Sequence, residues 1–101
     1  MNAYEAKAEE LYNLSNKLHR LSDVAWGVEN LAKHYKVEGV AEPAAKVKDE
    51  LFTAAQNYRR LRVSAKDNQE AILAVDIEKV AQEGEAALKK VTDLFKSRYG
   101  L

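Results

Sequence analysis

The sequence predicts an all-α protein, an antiparallel three-helix bundle with coiled-coil-like packing. Between Tyr4 and Tyr35 apolar residues recur at alternating spacings of three and four, which keeps one helix face against a neighbouring helix. The same spacing returns in two later stretches, 44 to 65 and 73 to 94. One Pro and four Gly in 101 residues leave few places to turn, and the abundant Ala, Leu, Glu and Lys are good helix formers. A chain of this length supports one core, so residues 1–101 are read as one helical-bundle domain.

The first stretch places Tyr4, Leu11, Leu18, Ala25 and Ala32 at heptad position a, and Leu14, Leu21, Val28 and Tyr35 at d; only Lys7 breaks the series. Asn2 is a competent N-cap and Glu5 completes a capping box. The helix should run to about residue 37, with Gly39 taking the left-handed conformation beyond its end. Ser22, Asp23 and Gly27 are poor interior residues. Because the heptad crosses them without a phase slip, one helix with a bend is favoured over a break into two.

Residues 40 to 43 form the first loop, and Pro43 suits the first turn of a second helix over residues 43 to 65. Its seam is Ala44, Val47, Leu51, Ala54, Tyr58, Leu61 and Ala65, widened by Phe52 and Ala55 as in a helix touching two neighbours. Asp67 to Glu70 then has the form of a capping box. From Leu73 a new register begins, Leu73, Ile77, Val80, Gly84, Ala87, Val91 and Leu94, which whole heptads from Leu61 cannot reach. A third helix over residues 68 to 98 gives an up-down-up bundle. The alternative is one helix from Pro43 to Tyr99 with a stutter, forming a long helical hairpin that dimerises. The first helix, about 50 Å long at 1.5 Å per residue, exceeds the second, about 35 Å. Part of its seam should therefore be left for self-association or a partner.

Formal net charge is zero, which disfavours a protein built mainly to grip phosphates. The charges are nevertheless sorted. Lys46, Lys48, Arg59, Arg60, Arg62 and Lys66 dominate residues 46 to 66, acidic residues dominate 67 to 85, and the end is basic again. Such blocks pair between neighbouring helices or face a partner. Cys is absent, which excludes disulfides and thiolate metal sites. No apolar run approaches a membrane span and the N-terminus is not a signal peptide, so a soluble, cytoplasmic protein is expected.

Chemistry-bearing constellations are weak. His19, Ser22 and Asp23 contain the residue types of a nucleophilic triad, but neighbours on one helix fan around its axis and cannot assemble the in-line geometry. His19 and His34 lack ligand spacing, the acidic pairs lack a second cluster, and no Gly-rich loop cradles phosphate. No catalytic residue, metal or cofactor is expected.

Two surface features remain. Tyr12, His19 and Trp26 stand at seven-residue intervals on one flank of the first helix. They form either an aromatic partner-binding surface or, for Trp26, a pin filling the space beside the small Ala25. Tyr58, Arg59, Arg60, Arg62 and Lys66 form a basic cluster with an aromatic. It either meets an acidic protein surface, binds phosphates of a nucleic acid or nucleotide with Tyr58 stacking on a base, or pairs with the acidic start of the third helix. The expected function is a non-enzymatic protein-protein interaction module, a small self-associating adaptor or inhibitor that occupies a partner surface through Tyr12, His19, Trp26, Arg59, Arg60 and Arg62. Nucleic-acid or nucleotide binding through the basic cluster is the alternative.

Overall fold

A computed structural model describes residues 3–63 and 69–100. The described residues form an all-α bundle of four helices: α1, Ala3–His34; α2, Ala41–Val63; α3, Gln69–Ala74; and α4, Ile77–Tyr99. The bundle is elongated, about 50 × 18 × 16 Å. α1 and α4 run alongside each other, with Ile77 near Leu14 at one end and the Tyr35 and Tyr99 rings 5.3 Å apart at the other. α2 packs on α1 and runs antiparallel to both. The reversal of direction excludes one uninterrupted helix from Pro43 to Tyr99.

α1 is continuous through Ser22, Asp23 and Gly27, so the alternative of two helices does not apply. Its heptad explains why: Leu11, Leu14, Leu18, Ala25, Val28 and Ala32 are all buried, and one uninterrupted seam outweighs the roughly 1 kcal/mol cost of an interior glycine. Small residues beside the seam let α2 approach closely. Ser15 and Ser22 are buried seven residues apart, and the Ser22 hydroxyl donates to the Lys48 carbonyl of α2 at 2.9 Å. Beyond them Glu29 is buried and accepts from Lys33 at 2.8 Å and from Lys48 of α2 at 3.0 Å. These hydrogen bonds, led by that from Lys33, hold the Glu29 carboxyl below its ordinary pKa against the opposing effect of burial. The same contact pushes Lys48 up.

α1 stops at His34, three residues earlier than the sequence predicts, and its left-handed residue is Lys36 (φ 55°) rather than Gly39. The Val37 N–H donates to the Ala32 carbonyl at 2.8 Å and the Lys36 N–H to the Lys33 carbonyl at 3.3 Å, the paired bonds of a Schellman end. Val37 tucks against the apolar cluster containing Ala32, and this contact compensates for a lysine in a glycine's conformation. Gly39 has positive φ too, within the loop. α2 begins at Ala41, and Pro43 sits in its first turn, where a missing N–H costs no helical hydrogen bond.

The largest departure lies in the third segment. In place of one helix over residues 68 to 98, the chain breaks at Val75 and Asp76. Asp76 is extended (φ −86°, ψ 91°), and its carboxylate accepts from the Lys79 N–H at 3.0 Å to cap α4. The proposed capping box at Asp67 starts outside the described residues. The break turns α3 about its axis, so Ile72 is fully buried and Leu73 half-exposed, the reverse of the predicted seam.

Two apolar clusters fill the bundle. One joins Leu11, Leu14, Leu18, Leu51, Ala55 and Ile72, and the other Val28, Ala32, Val40, Ala44 and Val91. At roughly 1.5–3 kcal/mol per large buried aliphatic side chain, these clusters hold the helices together. They also overturn the expectation of an open seam. Where α2 runs out, α3 folds over the start of α1 with Ile72 against the cluster of Leu11 and Leu14, so the uncovered surface is on the flanks. At the waist, Gly84 of α4 lies so close that a Cβ there would stand 3.0 Å from Leu18 Cδ2, 3.2 Å from Leu51 Cδ2 and 3.4 Å from Leu21 Cδ1.

Candidate partner-binding face

The α1–α2 pair has two sides. α3 and α4 cover one, and the other carries a row of aromatic and charged side chains. On α1 the row is Tyr12, Asn16, His19, Asp23 and Trp26; on α2 it is Arg62, Arg59, Phe52 and Asp49. Contacts between the helices set its rungs. The Arg62 guanidinium lies 5.0 Å from the Tyr12 ring centre, Arg59 donates to Asn16 Oδ1 at 3.3 Å, and the His19 and Phe52 rings are 5.6 Å apart. At the far end a shallow depression of about 280 Å³ is lined by Ser22, Asp23, Trp26, Lys48, Asp49 and Phe52.

The seven-residue spacing of Tyr12, His19 and Trp26 therefore does bring them onto one face. Trp26 is 55% exposed and Tyr12 40%, so Trp26 is not the pin of the core. Phe52, read from sequence as part of the core seam, is 44% exposed and belongs to this row. Its spacing could have revealed it, because Phe52, Arg59 and Lys66 share a seven-residue column just as Tyr12 and Trp26 do. Ala55, one turn along, is the residue that faces the core.

The basic cluster divides. Tyr58 and Leu61 pack against the core. Arg59 and Arg62 flank the row, and among the described residues neither has a carboxylate within 4.0 Å, so the expected pairing with the start of the third segment is not formed by them there. Arg60 is exposed, and Lys66 lies outside the described residues. α1 and α4 are instead joined by an ion pair between Lys17 and Glu85.

The residues that resemble a triad do not form one. The Ser22 hydroxyl is buried and committed to the Lys48 carbonyl, while His19 Nδ1 stands 3.6 Å from Asp23 Oδ2 on the surface. No group of three or more His, Asp or Glu residues is placed to hold a metal among the described residues. No described helix is long and apolar enough to cross a membrane. A second concavity, about 460 Å³ between α2 and α4, has an apolar floor of Val47, Ala87, Val91 and Leu94, with Lys46, Glu50, Glu83 and Lys90 also among its lining.

Fold and face together define an all-α bundle with one aromatic, charge-flanked side left uncovered. No protein family, curated protein or solved structure matches the chain.

Proposed function

We propose that this chain is a non-enzymatic protein-interaction module, a small cytoplasmic adaptor or inhibitor that acts by occupying a partner surface with the α1–α2 face. The observation that carries the reading is the exposure of Tyr12, Phe52 and Trp26 on a single side of the bundle. Aromatic side chains with arginine neighbours are the preferred anchors of protein interfaces, since they bury large area with few rotatable bonds. The test is to place a photocrosslinking residue at Trp26 and, as a control on another helix, at exposed Gln82 in the source cell. The reading predicts discrete crosslinked protein products from position 26 and none of them from position 82. The same products from both positions, or none from position 26, refute it.

A second reading draws on Arg59 and Arg62, whose guanidinium groups have no described carboxylate partner and flank Tyr12. Such a site suits the phosphates of a nucleic acid or nucleotide, with the ring stacking on a base. Tyr58 is partly buried against the core, so Tyr12, which is more exposed, is the ring better placed for stacking in this reading. Titration of an oligonucleotide at low and high salt separates the readings. Steep weakening with salt supports phosphate contacts, and no binding at low salt excludes them.

A further inference from the structure

α3 reaches the core through a single side chain. Of the six residues Gln69–Ala74, Ile72 is fully buried and the other positions are exposed. The polar contacts that tie the helices together run between α1, α2 and α4: Ser22 and Glu29 meet Lys48, Asn16 meets Arg59, and Lys17 meets Glu85. Among the described residues, no side-chain hydrogen bond or ion pair holds α3. Its length is far below the roughly 12–15 residues at which an isolated helix is even marginally stable. The cost of ordering its backbone opposes the gain from burying one isoleucine. α4 does not depend on it. Asp76 caps α4 by accepting from the Lys79 N–H at 3.0 Å, and its carbonyl accepts from the Val80 N–H at 3.0 Å, so the first turn of α4 is closed by its own residues.

Ile72 fills the place left where α2 runs out along α1. The cluster that receives it is Leu11, Leu14, Leu18, Leu51 and Ala55, with Tyr4, Tyr58 and Leu61 packed against it. All of these residues belong to α1 or α2, so the slot is built without α3. We propose that α3 is a removable cover, which leaves this slot while α1, α2 and α4 stay packed, and that the vacated slot takes an aliphatic side chain carried on a short helix of another protein. α3 itself defines the chemistry of that partner: one aliphatic anchor on an otherwise solvent-facing helical turn, a minimal case of helix-in-groove recognition. The slot lies on the side of the α1–α2 pair opposite the aromatic face. It can therefore fail without touching the interaction reading above, and that reading can fail without touching it.

The chain has no cysteine, so a thiol introduced at one position is labelled alone. Ile72→Cys reports the cover, and Leu18→Cys, beneath Gly84 of α4, reports the bundle; both remove the same number of carbon atoms. Under native conditions the thiol at position 72 is expected to react about 100-fold faster than that at position 18, and its rate to stay nearly constant in dilute urea while the other climbs. Val91→Cys replaces Leu18→Cys if circular dichroism shows lost helix. Equal rates with equal urea dependence overturn the cover, because α3 then leaves only when the whole bundle unfolds. The slot is tested with a peptide of residues 69–77 and the Ile72→Asp chain, whose carboxylate is expelled from an apolar site and holds the cover off. Ile72→Ala serves if that chain loses its helices. Followed by NMR up to about 1 mM, the peptide is expected to bind the substituted chain about tenfold more tightly than wild type, and the same peptide carrying Ile72→Asp not to bind. No binding to the substituted chain, equal affinity for wild type, or equal binding by both peptides overturns the slot.

Discussion

The close approach of α4 to the α1–α2 pair makes two glycines respond oppositely to the same substitution. Gly27 and Gly84 both sit inside helices, and Gly→Ala in a helix interior gains about 1 kcal/mol from propensity alone. At Gly27 an added Cβ meets nothing within 4 Å, so the full gain should appear. At Gly84 it meets Leu18, Leu51 and Leu21 at 3.0, 3.2 and 3.4 Å, with two of those leucines in the core cluster. Forcing a methyl group into such a contact costs on the order of 2 kcal/mol, leaving a net loss of about 1 kcal/mol. The two variants should therefore differ by about 2 kcal/mol. Urea unfolding followed by helical circular dichroism measures this directly, with the midpoint moving up for Gly27→Ala and down for Gly84→Ala at unchanged slope. Valine at position 84, with two more methyl groups to place, should lower the midpoint further. If Gly84→Ala stabilises as much as Gly27→Ala, α4 does not cross where the structure places it.

Lys36 holds a left-handed conformation that suits glycine, so Lys36→Gly should raise stability by about 1 kcal/mol, seen as a higher thermal midpoint; a lower midpoint would show that the lysine side chain contributes more than its backbone costs. Glu29 has a folded-state pKa below its ordinary value of 4.5, so its stabilising contribution is complete above that value and fades as pH falls through the lower folded value. Glu29→Gln should thus be less stable than wild type at neutral pH, with the gap closing in acid. A gap that widens in acid contradicts the assignment.

Much of the fold is legible in the chain because a heptad is a long-range pattern. The a and d positions of α1 fall in the core from Leu11 to Ala32, and the up-down-up order follows from three separate registers. What escapes is local competition. Lys36 ends α1 because the buried Val37 contact outweighs backbone strain, a tertiary effect with no sequence signature. Asp76 is visible as a possible cap, but the stronger box beginning at Asp67 hides it, and the resulting rotation exchanges Ile72 and Leu73. The length mismatch between the first two helices is real, yet it leads to the wrong surface, since α3 closes the seam. On the face itself, Tyr12, His19 and Trp26 are legible by spacing. Phe52 is not separable from the core by hydrophobicity, and only its column with Arg59 marks it as a surface residue.

Trp26 is the single tryptophan of the chain and stands on the face where association is placed, so its fluorescence reports that face alone. As the chain associates, the emission should shift to shorter wavelength in step with the rise in mass, because the half-exposed indole leaves water. A mass that rises while the emission stays at its solvent-exposed wavelength would place the contact elsewhere and contradict the account.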